Sequence, residues 1–241
     1  MISTLKSLIK KPKIKFYSDF PEITEQYPIY PAREYKRKWV RDCAKSFAKY
    51  RDKMGDKHSL ITSTKCPGIR NIMESGYIVQ SWFDFTIETD GKDFQVFYPE
   101  QLEKHMQDIG YTNPLVNSFN TKYSPLNIPT GQSLPHIIKI WTPYHFEVPD
   151  THELMVLPVQ YDDNETFTAC TGSISGFEID FNVHVYWHNT QGSVHVPAGT
   201  PLCQLVPIRR DKSTIVTEKS NNYVRDQVAK RKFKKYSKFQ L

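Results

Sequence analysis

A chain of 241 residues with 39% apolar and 13% aromatic residues can bury one substantial core, and 16 prolines against 10 glycines fit an ordered, loop-rich protein, which excludes disorder. No apolar run approaches the roughly 20 residues of a membrane-spanning helix. The net charge of +6 is modest and gathers at the ends, in Lys10, Lys11, Lys13 and Lys15 and again from Lys230 onward, so any attraction to acidic partners is expected there. The first nine residues lack the basic flank, apolar stretch and cleavage site of a secretory signal, and a cytoplasmic location is the expectation. Cys43, Cys66, Cys170 and Cys203 are scattered without a Cys-x-x-Cys pair, the pattern of reduced thiols rather than of a zinc ribbon or a disulfide scaffold.

Residues 1–33 read as an extended arm, because Pro12, Pro21, Pro28 and Pro31 interrupt helical continuity and the residues between show no sustained period. From Glu34 to Met54 the apolar residues Trp39, Cys43, Phe47, Tyr50 and Met54 recur every three or four positions, with Gly55 where a left-handed cap would sit. That is an amphipathic helix with a basic outer face. Pro67 and Gly76 bracket a second, short helix whose Ile69, Ile72 and Met73 face inward. Cys66 stands at its N-terminus, where a thiolate is stabilised, but a nucleophile also needs a base and the sequence identifies none.

Phe83, Phe85 and Ile87 alternate with polar residues, Asp90-Gly91 supplies a turn, and Phe94 and Val96 resume the alternation, which predicts a hairpin. A short helix is expected from Pro99 to Ile109, then a long irregular loop over 111–135 of the kind used as a lid, a binding loop or a subunit contact. Strands follow at Ile137–Trp141, Phe146–Val148, Leu154–Val159 and Phe167–Cys170. The clearest pattern spans Gly176 to Arg210 as strand, turn, strand, tight turn, strand. Phe177, Ile179, Phe181, Val183, Val185 and Trp187 form one apolar face, and Glu178, Asp180, Asn182, His184, Tyr186 and His188 the other. The fold expected is mainly β with peripheral helices (α+β), an antiparallel sandwich, jelly roll or barrel. Its divisions are an arm at 1–33, a β-rich domain at 34–210, and a linker with a basic C-terminal helix at 211–241.

The polar face of the last region holds the candidate site. Glu178 and Asp180, about 7 Å apart on a strand, and His184 are the candidate catalytic residues. Asn182, Tyr186 and His188 are candidate ligand contacts, as are Arg209 and Arg210 at the end of the last strand, where they could neutralise an anion. His184 and His188 are about 13 Å apart on a straight strand, too far to share one ion, so neither a metal nor a cofactor is expected. Lys230, Arg231, Lys232, Lys234, Lys235 and Lys238 are the candidate nucleic-acid contacts.

The turn Val196-Pro197-Ala198-Gly199-Thr200-Pro201-Leu202 resembles one in cupins, with Leu202 where that family places a histidine ligand. Gly176, Ile179, Asp180, Gly199 and Gln204 echo the trimeric dUTPase and dCTP deaminase fold, without its Gly-Arg-Ser-like phosphate segment. Both resemblances imply a β-barrel or jelly roll. A broader resemblance, from about Pro31 to Arg210, is to an uncharacterised family of short bacterial and phage proteins. It is carried by Cys66-Pro67 to Gly76-Tyr77, Trp141-Thr142-Pro143, and Gly199-Thr200-Pro201 to Pro207-Ile208-Arg209-Arg210. It implies kinship and a phage source, hence the host cytoplasm or a virion. The functional expectation is a non-enzymatic protein that binds another protein or assembles, as its own copies or within a virion, into a larger particle, with no membrane partner. The alternatives are an enzyme processing a nucleotide or other small molecule on the Asp180–His184 face, and a nucleic-acid-binding accessory protein.

Overall fold

The computed structural model describes residues 13–54, 66–108, 111–120, 133–178 and 180–210, together with Gln227 and Lys230. By its internal contacts the chain divides into a unit of residues 1–210 and a unit of residues 211–241. In the first unit, β1 (Lys15–Tyr17), α1 (Pro21–Gln26) and β2 (Tyr30–Pro31) precede a 3-10 turn (Ala32–Glu34) and α2 (Lys38–Met54). Then α3 (Pro67–Glu74), β3 (Tyr77–Gln80), the hairpin of β4 (Phe85–Thr89) and β5 (Phe94–Phe97), α4 (Glu100–Asp108) and β6 (Val116–Asn120) follow. The remaining strands are β7 (His136–Trp141), β8 (His145–Val148), β9 (His152–Leu157), β10 (Phe167–Ala169), β11 (Gly172–Ile174), β12 (Gly176–Glu178), β13 (Asn182–Trp187), β14 (Gly192–Val196) and β15 (Pro201–Arg209).

The fold is mainly β with peripheral helices. Among the described residues the strands form four sheets, ordered β1-β8-β12, β10-β13-β7-β6, β11-β9-β15-β3-β2 and β14-β4-β5, and every pairing among them is antiparallel. The inner faces of all four meet in one apolar core. Ile138, Ile140, Val183, Val185 and Trp187 come from one sheet, Leu154, Leu202 and Leu205 from another, Phe85 and Ile87 from the β4 hairpin, and Phe146 from β8. Period-two alternation puts the core residues of β4 and β13 on a single side of each strand, so their sequence patterns translate directly into burial. By contrast, β7 also buries Ile137 and Trp141 on the Lys139 side, and a register shift between Pro201 and Cys203 breaks the alternation of β15.

Three expectations change. The segment from Gly176 to His188 is two strands rather than one. In β12 the odd-numbered Phe177 pairs with Glu147 and is 60% exposed, whereas in β13 the odd-numbered Val183, Val185 and Trp187 are fully buried. The phase inverts because the chain leaves one sheet for another, and Asp180 between them sits in the left-handed region at φ 54°. Aspartate enters that region more readily than most residues, and here its backbone N–H donates to His145 Nδ1 at 3.1 Å.

Residues 111–135 are not loop throughout. Val116–Asn120 forms β6, an edge strand registered against β7 from Val116↔Ile140 to Asn120↔His136; Asn117 and Ser118 masked the apolar alternation. The arm, over its described part, lies across the body but is not extended throughout. β1 pairs with β8, β2 pairs with β3, and Pro21 opens the six-residue helix α1, which buries Ile23. The expected C-terminal helix lies outside the described residues except for Gln227 and Lys230, both helical. No helix among the described residues is long and apolar enough to cross a membrane.

The motif residues have structural work. A Cβ on Gly76, whose φ is 72°, would lie 2.0 Å from the Leu205 carbonyl oxygen, so only glycine permits this approach of β3 to β15. Gln204, fully buried on β15, donates to the Ile72 and Ser75 carbonyls at 2.8 and 2.6 Å, and its Oε1 accepts the Gln160 N–H at 3.1 Å. It therefore ties the end of α3 to the sheet. Buried Thr142 donates its hydroxyl to the Phe181 carbonyl at 2.7 Å. At the other turn, Gly199 N–H donates to Ser81 O and Ser81 N–H to Thr200 O, at 2.7 and 2.8 Å.

Candidate functional site

The outer face of the β10-β13-β7-β6 sheet carries a polar row set by register. Asn117 lies opposite Lys139, Lys139 opposite His184, and the Cys170 N–H donates to the His184 carbonyl at 2.7 Å. Opposed residues of antiparallel strands share a face, so Asn117, Lys139, His184 and Cys170 stand in line. Phe119, two positions along β6, leans across this row. Its ring stacks on His184 with centroids 5.3 Å apart and planes 18° from parallel, and the Lys139 ammonium lies 4.7 Å from its centroid. Beside the row a cleft of about 410 Å³ opens where the chain crosses from β10 to β11, bounded also by the segment from Glu178 to Asn182.

The structure brings Glu178, Asp180, Asn182 and His184 to the lining of this cleft from three places rather than one strand: Glu178 from β12, Asp180 from the connection, and Asn182 and His184 from β13. Glu178 and Asp180 are exposed and Asn182 half-buried. Asn182 is spent on the backbone, its Nδ2 donating to the Asp180 carbonyl at 2.7 Å. Asp180 is placed by His145, whose Nδ1 accepts the Asp180 N–H, so the ring proton sits on Nε2, 3.2 Å from Asp19 Oδ2. The charge of Asp180 also reaches Tyr111, whose hydroxyl is pushed up to about 12, first by burial and then by that carboxylate.

His184 differs from a poised general base. Its Nε2 is sealed from solvent and has no hydrogen-bond partner among the described residues. Burial first, and the Lys139 charge second, hold its pKa below the ordinary histidine value, so the ring is neutral at pH 7. A neutral imidazole lying against Phe119, without a carboxylate to orient it, does not make a nucleophile–base–acid relay. Cys170, half-buried, has its thiol pKa raised by burial, with a hydrogen bond to Tyr186 opposing. A thiol of that kind is a weak nucleophile.

Tyr186 and His188 share the face but do not line the cleft. His188 is fixed between Ser133 Oγ at 2.9 Å and Thr168 Oγ1 at 2.7 Å. Arg209 and Arg210 lie at the far end of β15. Arg210 pairs with Glu153 at 2.7 Å, so its charge is already met. Lys230 is exposed, and Arg231, Lys232, Lys234, Lys235 and Lys238 lie outside the described residues. Among the described residues no group of three or more His, Cys, Asp or Glu side chains is arranged to hold a metal ion, and no disulfide joins any of the four cysteines. Sequence reasoning missed Lys139 and Phe119. Lys139 interrupts an apolar run between Ile138 and Ile140, a legible sign of a face open to solvent, whereas Phe119 gives no such signal inside a segment rich in Asn, Pro and Ser.

A second surface lies on the outer face of the β1-β8-β12 sheet. Tyr17 and Phe177 are both exposed, with ring centroids 6.4 Å apart. Beside them Glu147 accepts from the Tyr17 hydroxyl at 2.5 Å and from the Lys15 ammonium at 2.9 Å. Comparison with known proteins finds no matching family model, curated protein or solved structure.

Proposed function

We propose that this chain is a non-enzymatic binding and assembly protein, and that the outer face of the β1-β8-β12 sheet is where a second copy docks. The observation that carries the reading is the exposed Tyr17–Phe177 pair on a sheet whose two outer strands, β1 and β12, each have one open edge among the described residues. Exposed aromatics beside open strand edges are the features that proteins bury against one another. The patch carries both signs of charge in Lys15 and Glu147, so it can complement itself across a two-fold axis. The test is the native mass of the purified protein: a defined oligomer is expected, and a monomer at every concentration would remove the reading.

The cleft favours a second reading, a protein that processes a nucleotide or other small molecule, because Glu178, Asp180 and His184 converge on it. Ligand-dependent thermal stabilisation that disappears in Asp180→Ala while the fold survives is the result expected of it. Turnover by a partnerless monomer would put this reading first.

A further inference from the structure

Helix α2 stands apart from the sheets by its exposure. Of the residues whose side chains are described, Lys38, Arg41, Asp42, Ala44, Lys45, Ser46, Ala48 and Lys49 are exposed, and only Trp39, Val40 and Cys43 are half-buried. At 100° per residue, Lys38, Arg41, Lys45 and Lys49 fall within about 80° of one another on the helix surface and span about 16 Å along the axis. None of these four side chains forms an ion pair within the described residues. Asp42 is the one acidic residue in the same stretch, which leaves four positive charges against one.

The helix is anchored at its first turn. Asp163 caps it, accepting the Lys38 and Trp39 N–H groups at 2.8 and 3.4 Å. Trp39 Nε1 donates to the Tyr161 carbonyl at 2.6 Å. Just ahead of it Arg37 is 3% exposed, with its Nε donating to the Gln160 carbonyl at 2.7 Å and its guanidinium lying 5.0 Å from the Tyr35 ring. That anchoring engages the indole, while the four basic side chains stay exposed.

We infer that α2 is a docking surface for the phosphate backbone of nucleic acid. Unpaired cations in a row on an anchored helix match a polyanion with one phosphate per 3.4 Å of each strand, and releasing its condensed counterions supplies the driving force. A membrane surface fits less well, because an interfacial helix must free its aromatic side for the bilayer, and here Trp39 is held against Tyr161 at 6.5 Å between centroids. This inference rests on different residues from the assembly reading and survives the loss of that reading.

The test is fluorescence anisotropy of the full chain with a labelled 20-base-pair duplex of arbitrary sequence, titrated at several salt concentrations. Wild type is compared with Lys38→Ala/Arg41→Ala/Lys45→Ala/Lys49→Ala, and with a full-length variant carrying alanine at Lys230, Arg231, Lys232, Lys234, Lys235 and Lys238. Alanine is the best helix former, so circular dichroism of the α2 variant should match wild type. The slope of log K against log salt should become shallower by about 3.6 in the α2 variant, about 0.9 for each cation removed, with affinity at least about tenfold weaker at 100 mM salt. An unchanged slope in the α2 variant overturns the inference, as does duplex binding lost only in the tail variant. Binding to phosphatidylserine vesicles in place of the duplex also overturns it.

Discussion

β12 and β13 lie three residues apart in one stretch of alternating sequence and meet opposite fates. Val183, Val185 and Trp187 of β13 are fully buried, while Phe177 of β12, a larger apolar residue than valine and on the same odd phase, is 60% exposed. Alternation therefore states which residues share a side of a strand, and not which side faces the core. The side is chosen by the partner. β13 lies between β7 and β10 over the core, whereas β12 lies at the edge of the β1-β8-β12 sheet. An apolar side chain at such an edge gains burial only from another molecule, which is why Phe177 belongs to the assembly reading and Trp187 to the fold.

The sharpest way to break this comparison is to truncate both residues. Trp187→Ala, which removes a ring stacked on Phe167 at 6.0 Å, should cost about 3–5 kcal/mol in urea unfolding of the monomer. Phe177→Ala should cost less than about 0.5 kcal/mol. Equal losses would mean that Phe177 is core after all. Next in size, Gln204→Ala removes two bonds to α3 and leaves the Gln160 N–H unpaired, at an expected cost of about 2–4 kcal/mol. The accompanying loss of amide-exchange protection at Ile72 to Gly76 is the more telling readout.

Two smaller effects concern pH. His184 has a depressed pKa, so its unfolded form binds a proton more readily than its folded form. Its contribution to stability is complete above the unfolded value of about 6.5 and is lost as pH falls through the lower folded value. His184→Phe should flatten the stability profile below about pH 6.5; an unaltered profile would mean that the ring is not sequestered. Glu147 is held below the ordinary carboxylate value by the Tyr17 hydroxyl first and Lys15 second, and Lys15 is raised by the same contact. The clamp on β1 is thus fully formed between the two ordinary values, about 4.3 and 10.4. It weakens as pH falls through the folded value of Glu147 or rises through that of Lys15. Both groups are exposed, so the effect belongs to the arm alone, and proteolysis near residues 13–20 should quicken at the extremes in wild type and at neutral pH in Glu147→Gln.

The same distinction explains what could be read in advance. The hairpin of β4 and β5, strands β7 to β10 and helices α2 to α4 were legible because each stays within one environment. β6 was hidden by Asn117 and Ser118, adjacent polar residues that fall on opposite faces of this edge strand and so erase its alternation. Alternation placed Glu178, Asp180 and His184 on one face of one strand, whereas they reach the cleft from β12, the connection after it and β13. The other wall was not legible either, since pairing Lys139 and Phe119 with His184 depends on a strand order, β13-β7-β6, that no local pattern encodes. The motif glycines and Gln204 were visible as a pattern, but only the approach of Gly76 to Leu205 and the bonds from Gln204 to α3 give those residues their physical reason.

The measurement that bears most directly on the assembly reading is sedimentation of the wild-type chain and of Phe177→Asp over a range of concentrations. The wild type should form a defined oligomer and the variant should sediment as a folded monomer, because a carboxylate placed in the aromatic patch would be buried without a partner. Identical sedimentation of the two, whether both monomeric or both oligomeric, would contradict the role assigned to the β1-β8-β12 face.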